Sequence, residues 1–417
     1  MRKRLSIFAI CLWVFGLLAE INADIYVTNN HDNSVSVIDP VSKTIIGSIT
    51  VGSQPISIAI TPDGRFAYVV NNFSGTVSCI DLSTNTVIAT IFVGASPYGV
   101  AISPDGSTVY VTNQSGNNIS VISTSTNTVS ATINGLSGPK GIAVTPNGNF
   151  AYVANFTGSN VRVIDTHTNT LLPVSIPVGS GPIGVAITPS GSFVYVTNSG
   201  GPSIDVIDTT SNMVVDTFPV GSNPSALAIT PNGKFLYEVN SSSVGVFETI
   251  NNSLITGISL PSPAGLAITS DGTLVYVTNN VDDSISIIDT STNEEIGTIT
   301  GSGLNFPIGI AIGSNRVPPA SIMAPRAFTG RQKNNNGAAA SERYNHLTWQ
   351  IPLEAPDLAG YTLSFIKNGQ LVTKTLKRSA TSYNDHNQLS ESVTYTLTAF
   401  TLEGASSSPV TVTIGGQ

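Results

Sequence analysis

Short runs in which apolar and small polar residues alternate recur along residues 24–316 of the chain. In one stretch these runs are Ala67–Val70, Val77–Ile80, Val87–Ile91 and Gly99–Ile102. An alternation with a period of two residues is typical of strands that bury one face. The pattern therefore predicts four short β-strands in each unit of about 42 residues.

A tetrapeptide similar to Tyr-Val-Thr-Asn marks each of these units. Its tyrosine lies at positions 26, 68, 110, 152, 195, 237 and 276, so the spacing is 39 to 43 residues. Turn sequences such as Thr61-Pro62-Asp63-Gly64 separate the strands, because proline presets one central dihedral and glycine accepts a positive φ. Seven units of this length, with four strands each, predict an all-β protein whose main part is a seven-bladed β-propeller.

The tetrads that begin at Tyr26, Tyr110, Tyr195 and Tyr276 resemble those of the YVTN family of seven-bladed β-propellers. The resemblance covers roughly residues 24–315. That family includes archaeal surface-layer proteins and bacterial periplasmic proteins, so the resemblance implies a place outside the cytoplasm. It is specific for the fold and says little about activity.

The order of the strands predicts how the ring closes. The first unit begins with the tetrad strand at Tyr26, whereas the last unit ends with Gly309–Ile312, which is similar to Ser57–Ile60. We expect this last strand to pair with the strand of Tyr26 and to complete the first blade, since the pairing covers two free sheet edges.

The two ends of the chain differ from the repeat. Three basic residues, Arg2, Lys3 and Arg4, precede the apolar run Leu5–Leu18, and small residues follow. This order is typical of a secretory signal peptide. We therefore expect residues 1–23 to be a signal peptide and the mature chain to be exported, without a membrane-spanning segment, to the periplasm, the cell surface or the medium.

Beyond the repeat, residues 317–417 are expected to form a linker and a small β-sandwich. Pro318-Pro319 marks the linker, and the strand-like segments His346–Ile351, Gly360–Ile366 and Val393–Phe400 resemble those of a fibronectin type III domain. The resemblance implies that Trp349 is a core residue. A domain of this kind either binds a partner or spaces other domains.

Composition and charge narrow the range of partners. Only 10% of the residues are charged, and residues 24–316 contain six basic and 18 acidic residues. An acidic body without a basic stripe is a poor match for nucleic acid. Without the signal peptide, Cys79 is the single cysteine, so we expect no disulfide and no cysteine-based metal or haem site, and we interpret Cys79 as a buried apolar residue.

The loops that enter the innermost strands of a propeller surround the mouth of its central channel. The position after the proline of each such loop holds Ile56, Tyr98, Lys140, Ile183, Ser225, Ala264 and Ile308. Lactonase and lyase propellers place carboxylates, amides or histidines there to hold a divalent cation, because hard cations prefer oxygen ligands. None of the seven is Asp, Glu or His, so we predict no catalytic residue and no cofactor.

Two kinds of site remain as hypotheses. Lys140 and the aromatic residues Phe73, Tyr98 and Phe156 are the predicted ligand-binding residues of the channel-mouth loops, where neutral amides and hydroxyls surround them. Ring closure would also place the first and seventh blades side by side. The metal-ligand candidates are therefore His31, Asp32, Asp282 and Asp283, with unpaired surface charges as the other interpretation.

These observations favour an exported, non-enzymatic binding protein that presents its loop face to a protein, peptide or glycan partner and acts as a monomer. A lactonase-like or lyase-like enzyme is the first alternative. A subunit of a periplasmic redox complex is the second, and it rests on analogy with other propeller proteins.

Overall fold

The described part of the chain consists of β-strands and the segments that connect them. The computed structural model describes residues 23–313, 326–334, 343–350, 358–367, 370–377, 382–385, 393–401 and 410–414. Within these residues there are 35 strands, β1 to β35 in chain order, and no helix. The strands fall into two compact units, one within Met1–Asn315 and the other within Arg316–Gln417. Residues 1–22 of the predicted signal peptide and residues 317–325 of the predicted linker lie outside the described ranges.

The first unit is a seven-bladed β-propeller. Over residues 23–313, its 28 strands form seven antiparallel sheets of four strands each, which we number as blades 1 to 7. From the innermost to the outermost strand, blade 1 contains β28 (Pro307–Ile312), β1 (Ile25–Asn29), β2 (Ser34–Asp39) and β3 (Thr44–Thr50); blade 2, β4 (Pro55–Ile60), β5 (Phe66–Asn71), β6 (Thr76–Asp81) and β7 (Thr86–Phe92); blade 3, β8 (Pro97–Ile102), β9 (Thr108–Asn113), β10 (Asn118–Ser123) and β11 (Thr128–Asn134); blade 4, β12 (Pro139–Val144), β13 (Phe150–Asn155), β14 (Asn160–Asp165) and β15 (Thr170–Pro177); blade 5, β16 (Pro182–Ile187), β17 (Phe193–Asn198), β18 (Ser203–Asp208) and β19 (Met213–Pro219); blade 6, β20 (Leu227–Ile229), β21 (Phe235–Val239), β22 (Ser243–Glu248) and β23 (Ser253–Ser259); and blade 7, β24 (Pro263–Ile268), β25 (Leu274–Asn279), β26 (Ser284–Asp289) and β27 (Glu294–Thr300).

The ring closes through the pairing that the strand order predicts. Strand β28 pairs antiparallel with β1, so that Ile312 lies opposite Ile25 and Ile310 lies opposite Val27. Each innermost strand contacts the next, and β28 contacts β4 in turn, which completes the circle. The closure prediction is confirmed, and both sheet edges that would otherwise be free are paired.

The hydrophobic core lies between blades rather than within them. A typical cluster joins Tyr152 and Ile176 of blade 4 to Val194, Val196 and Ile207 of blade 5. In such a cluster the tetrad tyrosine faces the following blade, and the second tetrad residue faces the preceding one. A single sheet cannot bury its own apolar faces. Each blade is therefore stable only when it packs against the neighbouring blades.

The tetrad tyrosines also connect successive blades by hydrogen bonds. Six of the seven hydroxyls donate to the Oδ1 atom of an asparagine in the turn before the outermost strand of the following blade. These asparagines have positive φ, which asparagine tolerates better than most residues. The bonds are 2.5–3.1 Å long and join Tyr26 to Asn85, Tyr68 to Asn127, Tyr110 to Asn169, Tyr152 to Asn212, Tyr195 to Asn252 and Tyr237 to Asn293.

The threonine of the tetrad holds the innermost strands together. In blade 3, Thr112 Oγ1 accepts a bond from the Gly99 amide at 2.8 Å and donates to the Lys140 carbonyl of blade 4 at 2.6 Å. A Cβ atom at Gly99 would lie 2.3 Å from that carbonyl oxygen, so only glycine allows this approach. The backbone of Lys140 is therefore fixed by contacts with the preceding blade.

The described residues of the second unit form two antiparallel sheets. Buried side chains among those described are Leu347 in the first sheet and Tyr361, Leu363, Phe365, Tyr395 and Leu397 in the second. The side chain of Trp349, the predicted core residue, lies outside the described part of the chain. The first sheet has the order β29 (Arg326–Asn334), β30 (Arg343–Gln350), β33 (Ser382–Asp385), and the second the order β32 (Gln370–Lys377), β31 (Leu358–Lys367), β34 (Val393–Thr401), β35 (Val410–Ile414).

Cys79 is fully buried between blades 2 and 3, and burial raises the pKa of its thiol, so its interpretation as a buried apolar residue is confirmed.

Among the described residues there is no helix with the length and hydropathy needed to cross a membrane.

The tyrosine bonds between blades allow a direct test. Tyr276 belongs to blade 7, and in the following blade, blade 1, Lys43 occupies the turn position that holds asparagine elsewhere. The Tyr276 hydroxyl has no hydrogen-bond partner among the described residues. We expect Tyr152→Phe to lower the free energy of unfolding by about 1 kcal/mol, because it removes a bond to Asn212. Tyr276→Phe is the matched control and should lower it much less. Urea unfolding measures both, and equal losses would contradict the role given to the bond.

Candidate functional site

Two sets of loops meet at one end of each blade. The loop before each innermost strand bonds to the loop after the tetrad strand: the Asn72 amide donates to the Gln54 carbonyl at 2.9 Å, and the Phe156 amide donates to the Gly138 carbonyl at 3.0 Å. These paired loops form the loop face, which surrounds the axis. All four predicted ligand-binding residues lie on it.

Three of those four residues come together. Tyr98 is the second residue of β8, Lys140 is the second residue of β12, and Phe156 directly follows β13. The Lys140 Nζ atom lies 3.6 Å from the centroid of the Phe156 ring and 5.1 Å from that of the Tyr98 ring. We refer to these three residues as the Lys140 cluster. It spans blades 3 and 4 beside the axis.

The three residues of the Lys140 cluster are half-buried. Burial lowers the pKa of Lys140 and raises the pKa of Tyr98. The two ring faces oppose the first shift, because the negative face of an aromatic ring attracts an ammonium group. In the described part of the chain, no carboxylate forms an ion pair with Lys140. The ammonium group can therefore bind an acidic group from outside the protein.

The other channel-mouth positions have a different character. Ile56, Ile183, Ala264 and Ile308 are apolar, and the Ser225 hydroxyl donates to the Val239 carbonyl at 3.2 Å. No group of three or more His, Cys, Asp or Glu residues within the described ranges is arranged to hold a metal ion. The side chains at the mouth thus do not fit the divalent cation of a metal-dependent hydrolase.

Three of the four metal-ligand candidates lie around one loop. Asp32 Oδ1 accepts a bond from Asn305 Nδ2 at 2.6 Å, and Asp283 Oδ1 accepts one from the Phe306 amide at 2.7 Å. The His31 ring stacks on the Phe306 ring at 4.4 Å. These contacts hold the loop that leads into the closing strand β28. Asp282, the fourth candidate, is exposed and makes no hydrogen bond to any other described residue.

Phe73 lies apart from the Lys140 cluster. Its side chain is 77% exposed and borders a shallow cavity of about 390 Å³ between blades 1 and 2. The remaining lining residues are Asn30, His31, Asn33, Ser53 and Gln54.

Glu238 is a buried acid that the sequence interpretation did not single out. It lies in β21 with no exposed surface, Oε2 accepts a bond from Asn240 Nδ2 at 3.2 Å, and Oε1 has no partner within the described ranges. Burial raises the pKa of Glu238 to about 7. The signal was visible, because Glu238 replaces the valine of the tetrad. Opposite it, Gly245 stands where most blades have serine, and a Cβ there would lie 3.1 Å from Glu238 Oε2.

Two family models match separate parts of the chain. One, described as a YNCE-like β-propeller, matches residues 14–108. The other, described as a lactonase with a seven-bladed β-propeller, matches residues 123–256. Each match covers less than half of the chain, and both describe propellers.

Solved structures show the same architecture. A protein of unknown function from Desulfotomaculum acetoxidans is 22% identical with a TM-score of 0.63, covering 70% of this chain and 99% of that one. A protein from Bacteroides uniformis, named as a candidate 6-phosphogluconolactonase, is 16% identical with a TM-score of 0.62 and the same coverage. A chain of hydrazine synthase from Kuenenia stuttgartiensis is 25% identical with a TM-score of 0.53, covering 57% of this chain and 77% of that one.

One curated relative matches a short segment. It is the PE-PGRS family protein PE_PGRS18 of Mycobacterium tuberculosis, 49% identical over 47 residues, or 11% of this chain. The match spans only about a tenth of that relative's length. Together, the comparisons support a seven-bladed propeller and leave its activity open.

The buried Glu238 predicts a specific pH dependence. Its folded-state pKa of about 7 lies above the ordinary value of 4.5, so the folded protein holds this proton more tightly than the unfolded chain does. The corresponding stability is present below about pH 4.5 and is lost as the pH rises towards 7, a change of roughly 3 kcal/mol. We therefore expect Glu238→Gln to be more stable than the natural protein at about pH 8 and similar to it at about pH 4.5.

Urea unfolding across this pH range measures the difference between the two proteins. The matched control is Glu248→Gln, at a partly exposed glutamate of the neighbouring strand β22. If the Glu238→Gln and natural profiles run parallel from acid to neutral pH, the raised pKa of Glu238 is wrong.

Proposed function

We propose that the protein is an exported, non-enzymatic binding protein that captures an acidic partner on its loop face. The Lys140 cluster carries this proposal: a half-buried ammonium group lies between two aromatic rings at the mouth of the channel, without an ion-pair partner among the described residues. The signal-like sequence of residues 1–23 supports export to the cell surface, the periplasm or the medium.

The surroundings of Lys140 favour binding over catalysis. An ammonium group held by fixed rings loses little side-chain freedom when it meets a carboxylate, and its partly desolvated site strengthens the attraction. Catalysis would also require a nucleophile or a general base within hydrogen-bond reach of the substrate. The neighbouring mouth positions are apolar or, like Ser225, already bonded to the backbone.

An array of glycans and peptides tests this proposal with the chain of residues 24–417. The array carries carboxylated sugars and acidic peptides beside their neutral counterparts. We expect acidic ligands to bind and Lys140→Gln to weaken their binding roughly 10- to 100-fold, because a charge-assisted hydrogen bond contributes about 1.5–3 kcal/mol. Lys140→Arg should retain part of the affinity.

The matched control is Lys234→Gln, which removes the same charge from an exposed turn next to β21, away from the loop face. It should leave binding unchanged. A double Tyr98→Ala, Phe156→Ala variant tests the two rings of the Lys140 cluster. If acidic ligands bind equally to Lys140→Gln and to the natural protein, the binding site lies elsewhere and the proposal fails.

A lactonase-like activity is the second candidate function. Its support is the lactonase family match over residues 123–256, which includes both Lys140 and Phe156. In that case the cluster would hold the acidic group of a sugar lactone. The rate of ring opening of 6-phosphogluconolactone, compared with its spontaneous rate, separates the candidates. An acceleration that Lys140→Gln abolishes would favour the enzyme.

The proposal also assigns a role to the second unit. The two sheets have the orders β29-β30-β33 and β32-β31-β34-β35, and this arrangement in two antiparallel sheets supports the resemblance to a fibronectin type III domain. We propose that this unit spaces or presents the propeller.

The similarity to hydrazine synthase suggests a second alternative, in which the protein is a subunit of a redox complex. No described side chain favours this alternative.

A further inference from the structure

We infer that the cavity between blades 1 and 2 is a binding site for a neutral carbohydrate. This site is separate from the Lys140 cluster and needs no charged ligand. Six residues line it: Asn30, His31, Asn33, Ser53, Gln54 and Phe73. None of them is Asp, Glu, Lys or Arg.

The exposed ring of Phe73 is the first argument. The side chain is 77% exposed, although burial of an aromatic side chain is strongly favourable. Its backbone is held in place, because the Phe73 amide donates to the Ser53 carbonyl at 3.2 Å. An aromatic face that remains in water, on a backbone held in place, can pack against the C–H face of a sugar ring.

The polar groups around the cavity are the second argument. The side-chain amides of Asn30, Asn33 and Gln54 contain both donors and acceptors, which match hydroxyl groups that donate and accept as well. Gln54 has no side-chain partner among the described residues, and its side chain is exposed. The Ser53 hydroxyl makes no hydrogen bond to another described residue either, so it is available to a ligand.

The cavity wall is preorganised. Asn33 Oδ1 accepts the Gln54 amide at 2.9 Å, and Asn30 Nδ2 donates to the Pro55 carbonyl at 3.3 Å. The His31 ring is held by stacking on Phe306. Asn33 Nδ2 and Asn30 Oδ1 make no hydrogen bond to another described residue, so both atoms are available to a ligand. Binding therefore requires little ordering of the loops.

The size of the cavity sets the size of the ligand. About 390 Å³ lies at the lower end of the range of small-ligand sites, roughly 300–1,000 Å³. The cavity is open and shallow, so a mono- or disaccharide unit, or the end of a longer glycan, fits it better than an enclosed ligand. Since only one ring and a few amides contribute, we expect millimolar affinity for a single unit.

Saturation-transfer NMR with cellobiose, maltose, lactose and chitobiose tests the inference on the chain of residues 24–417. We expect at least one of these sugars to bind, with the strongest signals on the C–H face of one ring. Phe73→Ala should weaken this binding roughly tenfold, because an aromatic contact contributes about 0.5–1.5 kcal/mol. Gln54→Ala should weaken it less.

The chain supplies a matched control in Phe92, which is 79% exposed on β7 of the same blade. Phe92→Ala should leave sugar binding unchanged, and so should Lys140→Gln, which separates this site from the proposed acidic-ligand site. The inference is overturned if none of the four sugars binds, if Phe92→Ala weakens binding as much as Phe73→Ala does, or if the cavity binds an extended peptide in place of a sugar.

Discussion

The contact between one blade and the next is the constraint on which the propeller depends. No sheet buries its own faces, so each of the seven blades needs a neighbour on both sides, and the chain satisfies this by closing β28 onto β1. The tetrad supplies the repeated interface: its tyrosine bonds to the following blade, its second residue packs against the preceding blade, and its threonine joins the innermost strands. A single short motif thus carries both the apolar and the polar parts of the interface.

Two ionisable side chains that are buried or half-buried occur at positions that depart from this repeat. Lys140 replaces an apolar or small residue at the channel mouth, and Glu238 replaces a core valine. Both changes place an ionisable group where burial shifts its pKa, downwards for the lysine and upwards for the glutamate. The propeller tolerates these substitutions because the other blade interfaces remain intact. Residues that depart from a local sequence pattern are often found at functional sites.

The sequence predicts much of the fold and part of the site. The seven-unit period, the turn sequences and the order of the first and last strands were sufficient for the blade number and the closure. Lys140 was singled out as the charged residue among the seven mouth positions, and Tyr98 and Phe156 were singled out as aromatic residues of the loop face. The sequence did not show that Tyr68 bonds to Asn127, which lies 59 residues later, or that Glu238 is an isolated buried acid.

Periodicity is a local property, and it therefore determined the strands, their number and their order directly. Contacts between blades depend on how closely the innermost strands approach one another, which no spacing along the chain reveals. Only the tertiary structure placed the Lys140 ammonium 3.6 Å from the Phe156 ring. It also showed that His31, Asp32 and Asp283 contact Asn305 and Phe306 of the closing loop. The burial of Glu238 also became visible only in the tertiary structure, because it arises from residues of two sheets packed face to face.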